Sequence, residues 1–188
     1  PQIDDFEKSE NELIKAAREK NDQEMLQYLN LLCSYLHVCD DVKGDKWSYP
    51  TKQDLDSRNT TMNYIYNRAR SYNGDRLRAQ YDLLAMRTLM IMKDYPNIIK
   101  WWDSRVSKAE GSVFRDMARG IYAHALLNTG KQREACEIYA ELGDMRSIKW
   151  MMQDKRNLAG IKDEYQANPS SPTLIFLVQD YVNNAQST

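Results

Sequence analysis

The sequence predicts an all-α protein, and three observations lead to that prediction. Apolar residues recur at helical spacing: within 131–142, Ala135, Ile138, Tyr139 and Leu142 fall on one face of a helix. No stretch of strand length alternates cleanly between apolar and polar residues. The 7 glycines and 5 prolines are too few for a sandwich of many short strands, and most of them fall between the periodic segments.

Taken in order, the periodic segments predict about nine helices. Their expected limits are 3–20, 22–39, 58–72, 75–94, 96–108, 112–128, 131–142, a split pair at 144–154 and 157–167, and 172–185. Asn21 followed by Glu24 resembles a capping box, and Ser171 before Pro172 is typical of a helix start. The polar and aromatic segment 40–57 is the one long connection, and we expect it to be a loop packed on the surface.

Two of the segments, 22–39 and 77–92, are apolar on nearly every side. A helix without a polar face must be covered by several neighbours. Layers of paired helices provide that cover, because each inner helix lies between two others. We therefore expect stacked helix pairs rather than a single four-helix bundle.

Charge and composition exclude several classes of protein. The 188 residues include 26 basic and 27 acidic ones, and the net charge of −1 argues against a strongly basic nucleic-acid binder. With 42% hydrophobic residues, the chain is not expected to be disordered. No apolar run approaches the roughly 20 residues that cross a bilayer, so we expect no membrane span.

The cysteines and the first residue bear on the compartment. Cys33, Cys39 and Cys136 form no closed set of disulfides, and we interpret them as small buried apolar residues. The chain begins at Pro1 without a methionine, so we expect a piece of a longer protein. A signal peptide could precede that piece, which leaves both a cytoplasmic and an extracytoplasmic bacterial location open.

The sequence offers little material for catalysis or metal binding. His37 and His124 are the only histidines, which leaves little for a catalytic triad or a two-histidine metal site. His37 lies near Cys39, Asp40 and Asp41, but this spacing lacks the two ligand pairs of a structural zinc site. No phosphate-binding glycine loop or dinucleotide fingerprint occurs. We therefore expect neither enzymatic activity nor a cofactor.

Arginine and tyrosine are interleaved in the segment 58–87. Six arginines and four tyrosines stand there against two aspartates: Arg58, Arg68, Arg70, Arg76, Arg78, Arg87, Tyr64, Tyr66, Tyr72 and Tyr81. Such a surface can hold a protein partner, because both residue types are enriched at interaction hot spots. It can also grip a nucleic acid by stacking and phosphate contacts. A solvated face with its tyrosines in the core is the third interpretation.

The segment 112–142, where two helices are expected, has small residues in both helices and in the turn between them. Ala123 lies in the first helix, Gly130 in the turn, and Ala135 and Tyr139 in the second helix. With this pattern the segment resembles one unit of the tetratricopeptide repeat family, a pair of antiparallel helices in about 34 residues. In that family the small residues let the two helices cross closely, and the glycine makes the turn.

A weaker copy of the pattern lies upstream, and the resemblance covers about 75–186 in outline. Met86 stands where a small residue is expected, with Ile98 at the crossing and Trp102 as the following aromatic residue. In the better unit, Arg119 replaces the family's aromatic residue and Ser147 replaces its closing proline.

The resemblance implies a right-handed superhelix, an α-solenoid of antiparallel helix pairs. Residues 1–188 would form a single helical-repeat domain, with less regular helices and a loop over 1–57 and repeat units over 58–188. It also implies a non-enzymatic scaffold that binds a protein or peptide in a groove lined by the first helix of each unit. Carried over onto this sequence, the groove positions are Gln80, Arg87, Met117, His124, Phe176, Asp180 and Asn183.

Two alternative functions stay open. The chain could be a sensor or recognition segment of a larger signalling or enzymatic protein. It could also bind nucleic acid through 58–87, although the near-neutral total charge favours a protein partner.

Overall fold

Ten α-helices and two short 3₁₀ turns account for most of the described residues, which contain no strand. The structure is a computed structural model, and it describes residue 6 and residues 8–41 and 49–186. The prediction of an all-α protein is confirmed. The chain divides into two compact units, residues 1–94 and residues 95–188.

In the part of the first unit that the structure describes, four helices pack on their neighbours in the chain. They are α1 (Glu12–Glu19), α2 (Gln23–Asp41), α3 (Lys52–Arg70) and α4 (Arg78–Ile91). Helix α2 packs on α1, α3 and α4, and α3 packs along α4. Helix α4 is covered on nearly every side, since Tyr81–Met86, Thr88 and Leu89 are all buried. This confirms the prediction for 77–92, whereas Leu36 of α2 is half exposed and leaves 22–39 only partly covered.

Helix α3 begins six residues earlier than predicted. A capping box starts it: the Thr51 hydroxyl accepts the Asp54 N–H at 3.2 Å, and the Asp54 carboxylate accepts the Thr51 N–H at 2.8 Å. The loop predicted over 40–57 is therefore wrong from residue 52 onward. The first turns of α3 are polar, so apolar spacing could not predict this part of the helix. Residues 42–48 of the predicted loop lie outside the described residues.

The capping box predicted for Asn21 and Glu24 is wrong. Asn21 has a φ of 49°, and the Asp22 carboxylate accepts the Met25 N–H at 3.1 Å instead. The Glu24 carboxylate accepts hydrogen bonds from Tyr72, so a partner distant in the sequence outweighs the local pattern.

The second unit contains six helices. They are α5 (Tyr95–Ser104), α6 (Val113–Asn128), α7 (Gln132–Glu141), α8 (Met145–Met151), α9 (Leu158–Ala167) and α10 (Thr173–Gln186), with 3₁₀ turns at Val106–Lys108 and Gln153–Lys155. Helices α5 to α8 pack in chain order, and α10 packs on α7, α8 and α9. The Ser171 hydroxyl before α10 donates to the buried Glu164 carboxylate at 2.9 Å.

Helices α6 and α7 form the hairpin on which the repeat resemblance depends. Ala123 and Ala135 are fully buried, and they belong to one core cluster with Cys136, Tyr139 and residues of later helices. Gly130 has a φ of 85° in the turn, where an L side chain would be strained.

The three cysteines differ in burial. Cys136 is buried, which fits its interpretation as a small core residue, while Cys33 and Cys39 are half-buried. All three thiols are free.

The weaker upstream copy spans the division between the two units. Its Met86 belongs to the first unit, while Ile98 and Trp102 belong to the second. In the second unit Ile98 is fully buried, and the Trp102 ring stacks on Tyr122 with centroids 5.0 Å apart. The superhelix stays a prediction.

Candidate functional site

A polar pocket of about 360 Å³ lies in the first unit, and we call it the tyrosine pocket. Helix α2 contributes four residues, α3 two, the turn after α3 three and α4 one: Gln27, Asn30, Leu31, Ser34, Tyr64, Arg68, Ser71, Tyr72, Asn73 and Tyr81. No carboxylate is among these lining residues, whereas three are tyrosines and one is an arginine.

Stacked aromatic rings build one wall of the tyrosine pocket. The Tyr72 and Tyr81 rings are stacked with centroids 4.1 Å apart, and the Tyr28 ring meets Tyr81 edge-on at 5.2 Å. Such aromatic pairs stabilise beyond the area that they bury, by about 1 kcal/mol each. The wall is therefore held in place before any ligand arrives.

An ion-pair cluster behind the wall holds Tyr72. Its hydroxyl donates to Glu24 at 2.5 Å and accepts the Leu77 N–H at 3.1 Å. Arg76 donates to the same Glu24 carboxylate at 2.6 Å and to both oxygens of Asp22 at 2.5 and 2.7 Å. The only O–H donor of Tyr72 is thus already engaged, and the aromatic ring is the main group that this residue offers to a ligand.

The same cluster shifts several pKa values. The hydrogen bond from Arg76 lowers the pKa of Asp22 from 3.8 to about 2. The hydrogen bond from Tyr72, with a second from Arg76, lowers the pKa of Glu24. Both carboxylates are therefore charged at neutral pH. Burial raises the pKa of the Tyr81 hydroxyl, which stays protonated, and the nearby Arg68 charge opposes that rise.

Arg68 is the charged group of the tyrosine pocket that has no carboxylate partner among the described residues. Two arginines that follow it in the sequence do have carboxylate partners. Arg76 binds Asp22 and Glu24, and Arg78 binds Asp75 at 2.8 Å. The Arg68 side chain is exposed and makes no hydrogen bond within the described part of the chain. Its effect on the Tyr81 pKa places its charge near that hydroxyl.

The predicted groove residues of the first unit, Gln80 and Arg87, lie on α4. Both are half-buried. Burial raises the pKa of the Tyr28 and Tyr35 hydroxyls, and the Arg87 charge opposes that rise. Arg87 therefore lies close to two tyrosines of α2.

The predicted groove residues of α6 differ in exposure. Met117 is 45% exposed, whereas His124 is half-buried with its ring 5.9 Å from that of Tyr95. Burial lowers the pKa of His124, so its imidazole is neutral at pH 7.

The predicted groove residues of α10 are largely engaged within the second unit. Phe176 packs against the core cluster, and Asp180 accepts two hydrogen bonds from Arg156 at 2.5 and 2.8 Å. Asn183 is exposed. Of these three residues, Asn183 alone lies on the open surface of the helix.

The open surface of α10 is apolar, and we call it the α10 face. It is a shallow groove of about 550 Å³ lined by Leu174, Ile175, Val178, Gln179, Val182 and Asn183. Ile175 is 74% exposed, Val178 47% and Val182 45%. No charged side chain lines the α10 face, and the spacing of its aliphatic residues follows one side of the helix.

Two features are absent from the described residues, a cluster of metal-ligating side chains and a membrane-spanning helix. No group of three or more His, Cys, Asp or Glu side chains there could hold a metal ion. None of the helices in that part of the chain is both long enough and apolar enough to cross a bilayer.

The sequence singles out the segment that supplies the α3 and α4 residues of the tyrosine pocket, although it predicts no pocket there, and it does not single out the α2 residues. The Arg/Tyr segment 58–87 contains Tyr64, Arg68, Tyr72 and Tyr81, which the fold brings together. The polar residues of α2 carry no local signal, because isolated Gln, Asn and Ser residues are common on any helix.

Comparison of the chain with protein-family models, with curated proteins and with solved structures gives no match.

Proposed function

We propose that the chain is a non-enzymatic helical-repeat scaffold that binds a protein partner on the α10 face. The observation that carries this proposal is the row of exposed Ile175, Val178 and Val182. Clustered exposed apolar residues mark interaction surfaces on soluble proteins, because water contact with them is unfavourable.

The chemistry of the α10 face favours the apolar side of an amphipathic helix as the partner. Its lining has no charge to pair with an acidic or basic peptide. From Leu174 to Asn183 the helix rises about 14 Å, enough to match two to three turns of a second helix. Helix-in-groove binding uses anchors spaced in this way.

The α6–α7 hairpin supports the scaffold part of the proposal. Ala123, Ala135 and Tyr139 are buried, and Gly130 has a positive φ in the turn, which is compatible with the tetratricopeptide resemblance. Proteins of that family bind other proteins and generally carry out no chemistry, so the resemblance and the exposed face favour the same class of function.

The nucleic-acid alternative loses part of its basis. Two of its six arginines are neutralised, because Arg76 and Arg78 bind carboxylates. A flat response of any binding to salt would exclude the alternative, because phosphate contacts release counterions.

The proposal is tested by selecting helix-forming peptides from a random display library on the folded chain. A selected peptide is then titrated against three proteins by fluorescence anisotropy: the unchanged chain, an Ile175→Glu/Val178→Glu variant, and a control with Gln166→Glu/Ala167→Glu. The control adds the same two charges at exposed positions of α9. We expect at least tenfold weaker binding for the first variant and unchanged binding for the control. Failure to enrich any amphipathic peptide, or equal binding by both variants, would overturn the proposal.

A further inference from the structure

We propose that the tyrosine pocket binds a carboxylate attached to a flat or apolar body, with the carboxylate on Arg68 and the body against the tyrosine wall. This inference concerns the first unit and does not depend on the function proposed for the α10 face.

The charge of the pocket selects an anion. Arg68 is the cation of the lining, and no lining residue is acidic. The carboxylates behind the tyrosine wall, Asp22 and Glu24, are bound by Arg76 and make no ion pair with Arg68. A guanidinium that faces a pocket without a counterion is a binding group for an external acid.

Two neutral side chains of the pocket are free to bind a ligand. The amide groups of Gln27 and Asn30 make no hydrogen bond within the described residues. Their N–H groups are therefore available to the oxygens of a carboxylate. The Ser34 and Ser71 hydroxyls, in contrast, already donate to the carbonyls of Asn30 and Arg68, at 3.0 and 2.9 Å.

One free guanidinium matches a carboxylate better than a phosphate. An arginine binds a carboxylate with two parallel hydrogen bonds and balances its single charge. A phosphate monoester carries a charge of about −1.5 to −2. Arg76 and Arg78 are held by carboxylates, and Arg70 is outside the pocket lining, so a second free arginine is not among the lining residues.

The tyrosine wall determines the rest of the ligand. The stacked Tyr72 and Tyr81 rings are fixed, and Tyr64 is 59% exposed at the side of the pocket. Aromatic rings favour flat or apolar groups over charged and strongly hydrated ones. The same chemistry occurs in a free aromatic acid and in a glutamate beside an apolar residue of a peptide.

The test uses the full chain labelled with ¹⁵N and follows its amide and arginine Nε–H signals during titration. Benzoate is the free-acid probe, benzamide is its neutral counterpart, and inorganic phosphate is the competing anion. A blocked peptide containing Glu-Phe and its Gln-Phe counterpart form the second arm. Saturable shifts at pocket residues with benzoate support a free acid, and shifts with the Glu peptide alone support a peptide carboxylate.

The variants separate the role of Arg68 from a general effect of charge. Arg68→Gln is expected to weaken binding at least tenfold, and Arg68→Lys is expected to retain part of it. Arg70→Gln removes the same charge two residues away, from a side chain that lies over Tyr66 and outside the pocket lining, and should change nothing. Equal binding of benzamide, preference for phosphate, retained binding by Arg68→Gln, or no saturable shift in either arm would overturn the proposal.

Discussion

The hydroxyl of Tyr72 donates to the carboxylate of Glu24 at 2.5 Å, and this bond joins the turn after α3 to the first turn of α2. The two residues are 48 positions apart in the sequence. Because Tyr72 also accepts the Leu77 N–H, one side chain fixes the turn that leads into α4.

Replacing Tyr72 with Phe should destabilise the protein by about 1 kcal/mol, since the ring stack stays while both hydroxyl bonds are lost. Urea unfolding followed by circular dichroism measures the change. Tyr64→Phe is the matched control, because the Tyr64 hydroxyl makes no hydrogen bond within the described residues. Equal stability of the two variants would show that the Tyr72 bonds contribute nothing.

Arg76 should make the stability of the protein depend on pH in the acid range. Its hydrogen bonds lower the pKa of Asp22 to about 2. The pKa of Glu24 is lowered by the hydrogen bond from Tyr72 and, to a smaller extent, by the one from Arg76. A carboxylate whose pKa is lowered in the folded state adds to the free energy of unfolding. This contribution is complete above the ordinary pKa, near 4, and is lost as the pH falls toward 2.

The check is urea unfolding of the unchanged chain and of Arg76→Gln at several pH values. We expect Arg76→Gln to be less stable at pH 7 and the difference to become much smaller as the pH falls to 2. Arg70→Gln, whose arginine lies over the Tyr66 ring, should show no such pH dependence. A difference that stays constant from pH 7 to pH 2 would contradict the assignment.

The crossing of α6 and α7 should tolerate no larger side chain. Ala135 is fully buried in the core cluster, so Ala135→Leu forces the helices apart and is expected to cost about 1 to 3 kcal/mol. Ala167→Leu adds the same atoms at an exposed position of α9 and should leave the free energy of unfolding nearly unchanged. Chemical denaturation of both variants measures this, and a neutral Ala135→Leu would disprove a close crossing.

The turn between α6 and α7 should require glycine for its backbone alone. Gly130 has a φ of 85°, and a Cβ added there would touch nothing, so Gly130→Ala should cost about 1 kcal/mol through strain. Gly111 also has open space but no positive φ in this range, and Gly111→Ala should not destabilise. Thermal unfolding of the two variants compares them, and an equally stable Gly130→Ala would contradict the strained turn.

The parts of the fold that depend on local spacing could be predicted from the sequence. The α6–α7 hairpin followed from Ala123, Gly130 and Ala135, because close crossings and tight turns need small residues at fixed distances. The start of α3 could not be predicted from apolar spacing, since its first turns are polar and Thr51 with Asp54 determines it.

Contacts between distant segments escaped prediction for a different reason. The sequence suggests that Glu24 is a helix-capping residue, but its carboxylate binds Tyr72 and Arg76 instead. These contacts between distant residues are visible only in three dimensions. The tyrosine pocket likewise needs Gln27 and Asn30 of α2 beside Arg68 of α3. The groove positions carried over from the resemblance stay a prediction.

Hydrogen exchange with and without the selected helical peptide tests the proposed function most directly, because it locates the partner on the chain. The account predicts slower amide exchange or altered protection within 174–183 on addition of the peptide, and no such change in the Ile175→Glu/Val178→Glu variant. Protection that appears elsewhere, with 174–183 unaffected, would contradict binding on the α10 face.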